Sequence, residues 1–161
     1  MKVKSLMTML VTAVALVLGV CSCGSDDDEP EAALAEQVAG AYTGEEDLIV
    51  MGETTTTTTS YVFTKSSDIT VDMTIPASLD GAMTLPALPV KNIPVANEGN
   101  SIVGKLASYT GTVINSDGAE KAYTITNLVV LFSGKTVVVT YILKYGNMPF
   151  AFNGSFTGIK K

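Results

Sequence analysis

The sequence predicts an all-β fold, an eight-stranded antiparallel up-and-down barrel, and three observations carry that expectation. Ile69, Val71, Met73 and Ile75 alternate with Thr70, Asp72 and Thr74, and Val137, Val139, Tyr141, Leu143 and Tyr145 repeat the pattern. A period of two puts the apolar set on one face of a half-buried strand. Short turn-forming links separate such runs: Gly52, Ser66-Ser67-Asp68, Asn115 to Gly118, Ser133-Gly134 and Gly146-Asn147. Links this short favour antiparallel neighbours. After Gly40 no stretch keeps a helical period. Closing the meander into a barrel removes the unpaired edges that an open sheet exposes, and a two-sheet sandwich is the alternative.

Taken from the N-terminus, Lys2 and Lys4 precede an uncharged apolar run from Leu6 to Val20. That is the pattern of an export signal, and it falls short of the roughly 20 apolar residues of a bilayer-spanning helix. Cys21 and Cys23 close the run, and Gly24-Ser25-Asp26-Asp27-Asp28-Glu29 follows. Like charges repel there and nothing can bury a core, so the acidic stretch is expected to be a disordered tether. Glu31 to Val38, E-A-A-L-A-E-Q-V, has good helix formers and stops at Gly40, which predicts a short helix. The expected organisation is a signal peptide over 1–22, the acidic tether and short helix over 23–37, and a barrel domain over 38–161.

Strands are expected near 41–51, 54–65, 68–76, 90–96, 101–114, 120–132, 135–145 and 148–160. The threonine run Thr54 to Thr59 reads as the exposed half of a hairpin, since threonine is a strand former. Phe150, Phe152 and Phe156 share one parity in the last strand, which puts three rings on one face. Pro86, Pro89 and Pro94 interrupt the apolar segment Leu85 to Val95. Each proline removes a ladder donor, which excludes a central strand and leaves an edge strand or a loop. Such a segment serves either as a lid over a cavity or as a packed crossover.

The composition closes off several chemistries. Apart from Lys2 and Lys4, eight lysines face sixteen acids, six of those acids lie before Val38, and the chain holds no arginine. No basic patch interleaved with aromatics exists, which argues against nucleic-acid partners. No histidine is present, so Ser-His-Asp and Cys-His arrangements and the usual metal clips are excluded, and neither a metal nor a cofactor is expected. A glycosidase needs two carboxylates held about 5 to 9.5 Å apart in a cleft. Glu45, Glu46, Asp47, Asp72 and Glu120 are available, but adjacent acids on a strand are ordinarily solvated surface, and a noncatalytic protein is expected. Glu45-Glu46-Asp47 is a weak candidate for calcium, which takes six to eight oxygens, because no EF-hand loop surrounds it.

The junction Val20-Cys21-Ser22-Cys23-Gly24 resembles the lipobox of bacterial lipoproteins. Two registers fit, with either Cys21 or Cys23 acylated; Ser22 before it and Val20 at the third position upstream favour Cys23. The acidic residues that follow resemble the export tether of Bacteroidota surface lipoproteins, which implies a lipid-anchored outer-membrane protein exposed at the cell surface. Downstream, a short helix, Gly40-Ala41-Tyr42 opening the first strand, and a meander ending in F-T-G-I-K resemble the calycin-like β-barrel of such lipoproteins and, more distantly, lipocalins. The resemblance covers Val38 to Lys161. It implies that Tyr42 stands where lipocalins have a tryptophan that plugs the closed end of the barrel, with Lys160 in place of the stacking arginine. It also implies a calyx for a small apolar ligand.

The functional expectation is a lipid-anchored barrel that binds a small apolar or glycan-like ligand without catalysis. Tyr141, Phe150, Phe152 and Phe156 are the candidate ligand-lining residues. Small eight-stranded barrels either fill their interior with side chains or hold one ligand. The rival class is a structural or assembly component that presents barrel loops to a partner protein.

Overall fold

Alternation in the sequence becomes a ring of strands in the computed structural model, which describes residues 32–80 and 83–161. The expected signal peptide and the expected anchor at Cys23 fall outside these residues. A short helix, α1 (Leu34–Val38), precedes β1 (Gly40–Val50), β2 (Glu53–Ser67), β3 (Thr70–Ile75), β4 (Ser78–Asp80), β5 (Met83–Leu85), β6 (Leu88–Glu98), β7 (Ser101–Ile114), β8 (Glu120–Ser133), β9 (Thr136–Tyr145) and β10 (Phe152–Lys160). Eight of the strands close in the order β1-β10-β9-β8-β7-β6-β3-β2. Every pairing is antiparallel, and β10 returns to β1 with Tyr42 opposite Lys160 and Glu46 opposite Phe156. The all-β, up-and-down barrel expected from the sequence is the fold.

Local chemistry sets the corners. Met51 and Gly52 both have positive φ, 52° and 90°, the requirement of a tight two-residue hairpin between right-twisted strands. β2 then runs beside β1 through the whole threonine stretch, with Thr54 opposite Ile49 and Thr59 opposite Gly44. Thr54, Thr56 and Thr58 are exposed, and Thr55, Thr57 and Thr59 are half-buried. In β8 the register against β9 shifts between Thr126 and Val129, and Asn127 takes φ 53°. The extra residue of this bulge changes which parity faces inward. Tyr123 and Ile125 are buried before it, Leu128, Val130 and Phe132 after it.

Three details differ from the sequence reading. The proline segment is a barrel strand: β6 pairs with β3 from Leu88 to Pro94 and with β7 from Val95 to Glu98. Each half therefore has a ladder partner on one side, and Pro89 and Pro94 sit in the half that pairs only with β3, where a missing N–H can be tolerated. The link between β3 and β6 also contains a two-stranded hairpin, β4 with β5, too short to show a period. Ile69 is not part of the apolar face of β3; it is 62% exposed in the turn before the strand, where its carbonyl accepts from the Val95 amide at 2.9 Å.

Residues 32–161 form one compact unit, because α1 is packed into the barrel. Ala35 and Val38 are buried in the same cluster as the strand interior, and the Ala35 amide donates to the Asp68 carbonyl at 3.1 Å. The helix thus occupies the end of the barrel where β2 runs into β3.

Candidate functional site

Tyr42 lies at the α1 end. Its hydroxyl donates to the Val38 carbonyl at 3.0 Å, and its ring meets Phe63 edge-on at 5.5 Å and Phe132 at 5.8 Å. Lys160 Nζ stands 5.9 Å from the Tyr42 ring centre and donates to the Gln37 carbonyl at 2.9 Å. One ammonium thus touches the aromatic face and also satisfies a carbonyl of the last turn of α1. This end of the barrel is filled.

Further along the interior is a polar cluster that the acidic triplet conceals in the sequence. Glu45 is exposed, and Asp47 accepts from the Thr56 hydroxyl at 2.5 Å, but Glu46 shares the inward parity of Tyr42 and Leu48 and is 1% exposed. Its Oε1 accepts from the hydroxyls of Tyr61 and of Tyr141, the latter at 2.8 Å. The two hydroxyl oxygens are 3.3 Å apart. Burial, with the nearby charges of Tyr141 and Glu46, holds the Tyr61 hydroxyl well above its usual 10.0. Burial and Glu46 do the same to Tyr141. No lysine pairs with Glu46 among the described residues; the ion pairs there involve Glu36, Asp68, Asp72 and Glu98. Two hydroxyl hydrogen bonds are what this buried carboxyl group has in place of a cation.

The rings around the cluster occupy its space. Tyr61 stacks on Phe156 at 4.2 Å. A Cβ on Gly154 would lie 2.1 Å from Tyr141 Cζ, and one on Gly158 would lie 2.4 Å from Phe156 Cζ, so both rings rest directly on glycine backbone. Of the candidate lining residues, Tyr141, Phe152 and Phe156 are buried in the core. Phe150 precedes β10 instead of belonging to it, half-buried in the β9–β10 connection and edge-on to Phe152 at 5.7 Å. Among the described residues no second carboxylate joins Glu46: Asp72 pairs with Lys91 at 3.0 Å, and Glu120 is exposed at the start of β8. Among the described residues no three metal-ligating side chains gather.

Space is found at the end opposite α1. A pocket of about 350 Å³ there is lined by Lys121, Tyr145, Gly146, Asn147, Met148 and Pro149. It forms because Gly146, with φ 56°, turns the chain out of β9 while its amide stays bonded to the Ala122 carbonyl at 2.8 Å. The Lys121 stem lies over that glycine, 3.8 Å from where a Cβ would stand. Tyr145 is 3% exposed, and its hydroxyl has no hydrogen-bond partner among the described residues. A buried hydroxyl without a partner costs about 1–3 kcal/mol. Burial and the charge of Asp117 raise its pKa. Sequence alone gives Tyr145 as one of nine aromatic residues that either line a cavity or fill it; the pocket depends on the conformation of the connection, which leaves no periodic signal.

No family model matches the chain, and no curated protein matches it either. Among solved structures it is similar to a Bacteroides fragilis protein described as a "putative outer membrane protein", with TM-score 0.63 and 22% identity over 80% of this chain and 53% of that one. The chain thus spans about half the length of that protein, and at this identity the likeness extends to the fold.

Proposed function

We propose that this protein is a lipid-anchored component of the bacterial cell envelope, held at the outer membrane through Cys23 and exposed at the cell surface. Its barrel acts as a noncatalytic binding module for a small apolar or glycan-like ligand. The lipobox-like junction and acidic tether support the address, as does the Bacteroides fragilis neighbour, whose description also refers to an outer membrane. With the interior occupied by Tyr141, Phe152 and Phe156, the ligand site is assigned to the end opposite α1. The observation that carries it is the open pocket of about 350 Å³ at that end, where Met148 and Pro149 stand with the polar Lys121 and Asn147.

Two measurements test this reading. A fatty-acid probe fed to cells should label the wild type and not Cys23→Ala; label that persists until Cys21 is replaced moves the anchor two residues upstream. In a thermal-shift screen, an authentic ligand should raise the unfolding midpoint by mass action, since a hundredfold excess over Kd stabilises the native state by about 2.7 kcal/mol. It should also slow amide exchange at residues 145–149. Tyr145→Phe should leave the free protein as stable or slightly more so, since it removes a hydroxyl with no partner. Ligands that protect other segments would displace the site.

A structural or assembly role is the second reading, favoured by an apolar row on the outer wall. Ala96 lies opposite Val103, Val103 opposite Leu131, and Leu131 opposite Val138. Ala96 and Leu131 are exposed there, Leu131 by 38%, whereas Val103 between them is buried at 7%.

A further inference from the structure

We infer that the open edge of β2 is a dimer interface, on which a second copy of this chain pairs its own β2 antiparallel. β2 runs beside β1 from Glu53 to Phe63, but its ladder with β3 begins only at Val62. The Lys161 amide donates to the Ala41 carbonyl at 3.1 Å, so Ala41 and every second residue after it direct their backbone groups toward β10, and Tyr42, Gly44 and Glu46 direct theirs toward β2. The ladder partners of these three, Tyr61, Thr59 and Thr57, therefore serve β1, and the backbone groups of Thr56, Thr58 and Ser60 point the other way. Among the described residues no strand meets them there, since β4 and β5 pair only with each other.

A second copy of the same strand is the natural complement of such an edge. A two-fold axis at its middle sets each N–H against a C=O of the mate, and an isologous contact of this kind closes at two copies. The side chains agree with it. From Thr54 to Ser60 the strand has no charge and no proline, the devices that ordinarily keep exposed edges apart, and cross-strand Thr–Thr and Thr–Ser pairs are favourable. Exposed apolar side chains stand at both ends of the edge: Ile49 and Met51, the latter 82% exposed, at the hairpin, and Val62 where β3 begins to pair. Antiparallel alignment brings the hairpin end of one copy to the Val62 end of the other, so apolar surface meets apolar surface twice. The acids stay apart. The two Glu53 side chains lie at opposite ends of the paired strands, roughly 20 Å from each other, a distance well beyond the Debye length of about 8 Å at physiological salt. Glu45 and Asp47 are one strand back, opposite Thr58 and Thr56, and face their mates across three strand spacings, about 14 Å.

The test is analytical ultracentrifugation of the full chain in detergent, with the mass corrected for bound detergent. The wild type should pass from monomer to dimer as its concentration rises through the micromolar range. Thr58→Pro removes an N–H that serves no bond within the barrel, and Thr58→Lys adds a charge at an exposed edge position. Both variants should keep the wild-type circular dichroism and weaken the dimer about tenfold or more. If the proline variant unfolds, the lysine variant decides alone. In the wild type, amide exchange at Thr56 and Thr58 should slow as the concentration rises. A chain that stays monomeric at all these concentrations overturns the inference. So does a dimer that Thr58→Lys leaves intact, or one whose exchange at Thr56 and Thr58 does not depend on concentration. A dimer dissociated by Leu131→Lys and not by Thr58→Lys places the contact on the outer wall of β8 and rejects the β2 edge.

Discussion

Phe152→Asp is expected to unfold the domain or to lower its denaturant midpoint drastically, whereas Asn153→Asp, one residue along, should leave the midpoint nearly where it was. Phe152 is 3% exposed in β10, opposite Leu143 in the ladder, and its ring meets Phe150 edge-on. Truncating a buried phenylalanine to alanine costs about 3–5 kcal/mol. Aspartate adds the desolvation of a carboxylate among apolar neighbours with no cation at hand. Together these rival the whole stability of an ordinary domain, about 5–15 kcal/mol. Asn153 points to the other face and is exposed, where substitutions usually stay within about 0.5 kcal/mol. Urea titrations followed by circular dichroism decide it. Equal midpoints for the two variants would mean that the inward parity of β10 has been assigned to the wrong face.

The same parity argument explains which parts of the molecule are legible in the sequence. The barrel strands are legible because one face of each is buried, and burial enforces a period of two that composition displays directly. β6 is less so: its prolines argue against a strand with partners on both sides, and the sequence does not reveal that the strand exchanges one partner for another at Val95. Ile69 continues the alternation of β3 by accident of composition and stands in solvent. Glu46 is the instructive case. Read as part of Glu45-Glu46-Asp47 it is a surface acid, yet counting by twos from Tyr42 through Gly44 places it inside, opposite Phe156. The parity signal was present, but what makes a buried carboxylate tolerable, two hydroxyls brought from β2 and β9, depends on pairings between strands distant in the chain. The Tyr145 pocket is less legible still, because it depends on backbone turns in the β9–β10 connection and not on any repeating pattern.

Raising the pH is expected to unfold the protein steeply from about pH 10 upward, and the interior cluster is the cause. In the unfolded chain Tyr61 and Tyr141 ionise at their ordinary value of 10.0, while in the barrel both are held well above it, chiefly by burial. Ionising either would also set a phenolate against the Glu46 carboxylate that its hydroxyl now serves as a donor. A group whose folded pKa is raised contributes stability that is fully present below the unfolded pKa. That stability is lost as the pH climbs from 10.0 toward and through the folded value. Each such tyrosine weakens folding by about 1.4 kcal/mol per pH unit across that window, so these two together remove roughly 3 kcal/mol per unit. Tyr42, Tyr123 and Tyr145 are shifted in the same direction by burial and steepen the loss. A domain of ordinary stability should therefore unfold by about pH 12. Urea midpoints measured from pH 8 to 12, with phenolate absorbance followed on the same samples, give the test. The expected result is a midpoint flat up to about pH 9.5 that then falls, with most phenolate appearing only as the strand signal disappears. Phenolate that develops fully near pH 10 in a protein that keeps its strand signal would mean that water reaches Tyr61 and Tyr141, and the closed interior built around Glu46 would be wrong.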